Sequence, residues 1–108
     1  MKYVVRLQPV AESDLHEAYL WAAKRAPEAA KRWLDRFEDA IATLDTHPER
    51  CGLAAEHKRL NLELRERHFG RSPNVFRAVY VVKGSEVRVL RILRASRRRL
   101  TRRDLGLE

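Results

Sequence analysis

A chain of 108 residues with 44% hydrophobic and 35% charged side chains has room for one small core, in the proportions of a globular domain rather than a disordered tail. No apolar run approaches the roughly 18 residues of a membrane span, and Met1-Lys2-Tyr3 lacks a signal-peptide core, so a cytosolic protein with no membrane partner is expected. The single cysteine, Cys51, excludes an internal disulfide, and His16, His47, His57 and His68 share no metal-site spacing; no metal or other cofactor is expected.

In chain order, Tyr3-Val4-Val5-Arg6-Leu7 is a β-branched and aromatic run closed by Pro9, which predicts a strand over about 2–8. Leu15, Ala18, Tyr19, Ala22 and Ala23 then recur with helical spacing behind an acidic first turn. Pro27 breaks this helix and opens the next, in which Ala30, Trp33, Leu34, Phe37, Ile41 and Leu44 form one apolar stripe. The two make an antiparallel helical hairpin, and Trp21 and Trp33 are read as packing residues within it. Residues 48–59 read as a loop. Leu60, Leu62 and Leu64 alternate with Asn61, Glu63 and Arg65 as in a half-buried strand, and Arg67 to Asn74 reads as a turn. Val75 to Val82 is the strongest strand signal, and Lys83-Gly84-Ser85 turns it into a hairpin with Val87 to Leu93.

The order β-α-α-β-β-β predicts an α+β fold in a single domain over residues 1–108, with the helical hairpin packed on one face of an antiparallel sheet. The other face is expected to be open. Alternation puts Arg77 opposite Phe76 and Tyr80, so if the aromatics go inward, Arg77 and Arg65 line that open face. Residues from about 94 to 108 then form a basic C-terminal arm, with Leu100 and Leu105 as an apolar skeleton for a short helix or frayed end.

Charge is unevenly divided. Lys and Arg number 23 against 15 acids, a net +8, and 18 of the 23 are Arg. Residues 1–58 carry 9 basic and 10 acidic side chains, and the last 50 carry 14 and 5, a local +9. A half that basic expects a polyanion or an acidic protein segment, and arginine favours planar, bidentate contact with phosphate or carboxylate. Arginines on an open face could clamp a phosphodiester, but cleavage also needs groups that move protons. Glu63 is placed to act as a base, although an ion pair with Arg65 or Arg77 is the favoured reading; Tyr80 is assigned to the core or its rim.

Three further features are Leu7-Gln8-Pro9-Val10-Ala11-Glu12-Ser13-Asp14-Leu15 entering the first helix, Phe76-Arg77-Ala78-Val79-Tyr80, and Ile92-Leu93-Arg94-Ala95-Ser96-Arg97-Arg98. With Pro27-Glu28-Ala29-Ala30, Leu44…Pro48 and Leu62-Glu63-Leu64-Arg65 in this order, the chain resembles the RelE/ParE superfamily of bacterial type II toxin–antitoxin toxins. The resemblance implies a plasmid-stabilisation-type toxin, neutralised by a co-expressed antitoxin through an acidic or amphipathic segment. RelE-like members are ribosome-dependent mRNA endonucleases; ParE-like members bind DNA gyrase without cleaving RNA. On the nuclease side Arg77 and Arg97, and more loosely Arg65, match the phosphate-holding arginines. Arg94 stands where many relatives have histidine, however, and Arg103 stands near the position of a C-terminal tyrosine. Loss of both proton-transfer groups favours the ParE-like side, a binder rather than an enzyme, with Arg94, Arg97, Arg98, Arg102 and Arg103 meeting the target. A non-toxic basic nucleic-acid-binding module is the third reading.

Overall fold

A computed structural model describes residues 2–71, 74–96 and 99–106. Strand β1 (Val4–Leu7) leads into α1 (Pro9–Ala23) and α2 (Pro27–Ala42), each opened by proline in its first turn, where the missing N–H costs nothing. The chain then forms short 3₁₀ turns at Thr43–Asp45 and Pro48–Arg50 and a single helical turn, α3 (His57–Leu60). Strands β2 (Arg65–Phe69), β3 (Phe76–Lys83) and β4 (Glu86–Arg94) follow, and a last 3₁₀ turn spans Arg103–Leu105.

The strands lie in the order β1-β4-β3-β2. The β2–β3 and β3–β4 pairs are antiparallel, but β1 runs parallel to β4, so the sheet is mixed rather than antiparallel throughout. The helical hairpin is the crossover that makes this possible, since it returns the chain across one face of the sheet before β2 begins. Opposite Val79 and Tyr80 the register slips: Tyr80 faces Val89 and Val79 faces Arg91, leaving Leu90 as an extra residue in β4.

The stripe of α2 packs as its period requires. Phe37, Ile41 and Leu44 bury against Ala11 and Leu15 of α1 and against Ala78, Tyr80, Val87, Val89 and Ile92 of the sheet. Phe37 stacks on Phe69 at 4.1 Å between centroids, and Trp33 contacts both Phe37 and Phe76. These ring contacts explain why strand structure extends to Phe69, into the segment whose composition reads as a turn. The turn proper starts at Gly70, whose φ is +90° and where a Cβ would lie 2.6 Å from the Asn74 carbonyl oxygen.

The second face is not open. Ala54, Leu60, Leu64, Leu100 and Leu105 cover it, burying Val79 and Leu93 of the sheet in a second core. The strand expected over Leu60–Leu64 is replaced by α3, which ends at Asn61 in the left-handed conformation at φ 55°. Leu60 at the end of α3 and Leu64 in the extended lead-in to β2 still pack in one core, because the left-handed Asn61 turns the chain back between them. Residues 99–106 likewise lie against the sheet instead of extending as an arm.

Truncating the ring at the centre of the first core should be costly. Phe37→Ala is expected to lower stability to urea by about 3–5 kcal/mol, whereas the exposed Val10→Ala should change it by less than about 0.5 kcal/mol.

Candidate functional site

The centre of the second face is a buried ion-pair network. Arg77 of β3 is 3% exposed and Glu56, just before α3, is 1% exposed. The guanidinium meets the carboxylate fork to fork, with Nη1 donating to Oε1 at 2.9 Å and Nη2 to Oε2 at 2.6 Å. Nη1 also donates to Glu66 Oε1 of β2 at 2.8 Å, and the Leu100 amide donates to Glu56 Oε2 at 2.9 Å. The Arg77 hydrogen bonds outweigh the desolvation of the Glu56 carboxyl, and together with the Leu100 amide they hold it at about 2. The two carboxylates likewise raise Arg77 above its ordinary value, the Glu56 hydrogen bond first.

Chemically, this arrangement removes Arg77 from duty as a free cation. Its charge is answered by two carboxylates, and Glu56 is too acidic to take a proton near neutrality. The expectation that Arg77 lines an open face among arginines is therefore overturned: alternation puts it on the face away from the helices, but α3 and residues 99–106 close over it. Arg65 does not share that face. It lies opposite Tyr80 on the helix side of the sheet, donates to the carbonyls of Cys51 at 2.7 Å and Glu49 at 3.1 Å, and pairs with Glu63 at 2.9 Å. Glu63 thus has the ion-pair role that the sequence favours for it. Tyr80 is fully buried, donates its hydroxyl to the Pro48 carbonyl, and is pushed well above its usual range by that burial.

One pair near Arg77 has the elements of proton transfer, and the sequence reading missed it. Glu66 Oε2 lies 2.8 Å from Nε2 of His68, two residues along β2 on the same face, and the imidazole is half exposed. The i, i+2 spacing on an alternating strand is the signal, hidden because these residues read as a turn. Glu56 gives no such signal, since its partner is 21 residues away.

The proposed target contacts divide. Arg94, the last residue of β4, lies with its guanidinium carbon 5.1 Å from the Trp21 ring centre and 5.2 Å from that of Phe76, and donates to Asn74 Oδ1 at 3.0 Å. Arg102 donates to the Leu60 carbonyl at 2.9 Å, and Arg59 to that of Leu100, so both fasten the C-terminal segment to α3. Arg103 is exposed on the final turn. Arg97 and Arg98 lie outside the described residues. Among the described residues no group of three or more His, Cys, Asp or Glu is placed to hold a metal ion, and no helix is long and apolar enough to cross a membrane.

The chain and its fold have known relatives. Residues 5–99 match the family model described as the ParE toxin of type II toxin–antitoxin system, parDE. A solved structure of the chromosomal ParDE TA system from P. aeruginosa contains a chain that superposes with a TM-score of 0.66 at 21% identity, covering 86% of this chain and 96% of that one. No curated protein matches significantly.

The buried pair sets an acid limit on stability. Because the Glu56 pKa falls from 4.5 to about 2 on folding, its contribution is full above about pH 5 and is lost as pH falls towards 2. Glu56→Gln, which leaves Arg77 without its bidentate partner, is expected to cost about 3–5 kcal/mol at pH 7. In urea titrations the gap between wild type and variant should narrow at pH 3; a gap of unchanged size would show that Glu56 is not the group titrating.

Proposed function

The chain belongs to the ParE toxin family of type II toxin–antitoxin systems, and on that premise we propose that it arrests growth in the cytosol by binding DNA gyrase and is neutralised by a cognate antitoxin. The observation that carries the choice of target is the state of Arg77. An mRNA endonuclease of this fold would use that arginine on the scissile phosphate, and here it is enclosed and answered by Glu56 and Glu66. The proton-transfer positions of the nuclease relatives are filled by Arg94 and Arg103, which cannot exchange a proton near neutral pH. Inhibition by binding needs neither group. In this reading Arg94, Arg102 and Arg103, with Arg97 and Arg98, present the basic contact surface to the target. The antitoxin answers the net +9 of the second half with an acidic or amphipathic segment.

The mRNA endonuclease remains as a second reading because of Glu66–His68, a hydrogen-bonded carboxylate and imidazole beside Arg77. The two readings separate on RNA. Induction of this chain alone should arrest growth and leave message 5′ ends unchanged in primer extension, and purified protein should accumulate cleaved DNA when added to gyrase. New 5′ ends in phase with codons would establish the nuclease instead. Normal growth with intact messages would leave a non-toxic nucleic-acid-binding module.

A further inference from the structure

Two groups of arginines among the described residues differ in how their charge is held. Arg6, Arg65, Arg77, Arg88 and Arg91 are each ion-paired to a carboxylate. Arg25, Arg67 and Arg94 have no carboxylate within ion-pair distance among the described residues; each is held on an aromatic ring instead. Arg25 lies 4.1 Å from the Trp21 ring centre, Arg94 lies near both Trp21 and Phe76, and Arg67 lies 5.4 Å from Phe69. Phe76 and Phe69 face each other across the β2–β3 ladder and are bridged by Phe37, which contacts both rings. Arg25 and Arg94 therefore share one ring, Trp21, at the end of the sheet where Phe76 begins β3, while Arg67 stands apart on the edge strand β2. A guanidinium stacked on a ring has little freedom left to lose, and its N–H edges remain free for an anion.

Beside this shared ring is a cavity of about 220 Å³ between the end of α1, the start of α2 and the sheet. Its floor is Trp33 and Phe76, its walls are Trp21 and the alanine methyls of both helices, and no carboxylate lines it. Its polar groups are Asn74 and Arg94, joined by a 3.0 Å hydrogen bond. Trp21, at 50% exposed, stands at its edge.

We propose that this cavity and the two arginines stacked on Trp21 form a binding site for single-stranded nucleic acid, in which one base enters the cavity and the flanking phosphates lie on Arg25 and Arg94. A flat ring suits walls made of aromatic faces and methyl groups. Asn and Arg side chains are the forks that pair with the edges of bases. A base offers a flat face to the rings and a polar edge to Asn74 and Arg94 at once, whereas the apolar anchor of an acidic helix would use the rings alone. The base must be unpaired to enter, which selects single strands over duplex. The site lies on the helix side of the sheet, on the opposite face from Arg77 and Glu56, and its test needs neither gyrase nor a ribosome.

Trp21 and Trp33, the only two tryptophans, both line the cavity, so intrinsic emission reports its occupancy. The purified full chain would be titrated with fluorescein-labelled single-stranded DNA and RNA homopolymers, with duplex DNA of equal length, and with poly-L-glutamate. Single strands are expected to bind and quench tryptophan emission in parallel. Arg25→Gln with Arg94→Gln should weaken that binding by about tenfold or more and flatten its salt dependence. Ala29→Leu, which narrows the cavity without altering charge, should abolish the quenching while leaving the thermal midpoint near that of wild type. Equal binding by the arginine variant would overturn the proposal, as would duplex binding of equal strength without quenching, or no binding at all. Quenching by poly-L-glutamate in preference to the oligonucleotides would assign the site to an acidic protein segment and overturn the nucleic-acid reading.

Discussion

The bidentate contact between Arg77 and Glu56 is the constraint on which the second half of the fold depends. Either group left without the other at that depth would be costly, because removing an ion from water costs several kcal/mol. Each is therefore tolerable only while the other is in place, and Glu56 also accepts the Leu100 amide. One carboxylate thus ties three segments that are far apart in sequence: the turn before α3, the central strand β3 and the C-terminal segment. Val79, Leu93, Leu64, Leu100 and Leu105 supply the apolar burial around it, but apolar contacts alone have no preferred register. The ion pair supplies the register, because a fork-to-fork geometry is satisfied in only one arrangement.

A second carboxylate does comparable work at the opposite edge. Since β1 pairs only with Glu86–Val89, the outer edge of β4 beyond Val89 has no strand partner among the described residues. Asp14 of α1 occupies part of that edge by accepting the Ile92 amide at 3.0 Å and both arms of Arg91, at 2.7 and 3.0 Å. Arg91 in turn donates to the Asp104 carbonyl, which links α1 to the final 3₁₀ turn. Blocking an edge amide with a charged side chain limits unwanted pairing with another chain. The sheet is therefore clamped from both sides, by Glu56 on its face and by Asp14 at its edge.

The sequence is legible where a single local period decides the structure, and illegible where distant residues decide it. The stripe from Ala30 to Leu44 and the hairpin around Gly84 are self-contained signals, and both elements stand as predicted. Alternation also places Arg77 on the side of β3 away from Phe76 and Tyr80. What alternation cannot say is whether that side has a cover. The cover comes from α3, hidden because Leu60, Leu62 and Leu64 alternate as in a strand, and from a basic tail that reads as a short helix or a frayed arm. Among the described residues Leu100 and Leu105 dock that tail in the second core, and their spacing identifies no partner. Glu56 gives no local signal for the same reason, since Arg77 and Leu100 lie far along the chain, whereas Glu66 and His68 are hidden because their strand reads as a turn.

A net charge read from composition says little until each charge has been assigned a partner. The second half carries +9, which reads as a surface awaiting a polyanion. Four of its arginines, Arg65, Arg77, Arg88 and Arg91, are bound to carboxylates within the fold, and Arg59 and Arg102 are engaged by backbone carbonyls. Arg77 and Arg65, which sequence logic would nominate for phosphate chemistry, therefore serve structure. The guanidiniums that remain without a carboxylate include one from the acidic half of the chain, Arg25, which aromatic stacking brings beside Arg94. Trp21, Phe69 and Phe76 thus decide where these charges stand, because a ring holds a cation in position without neutralising it.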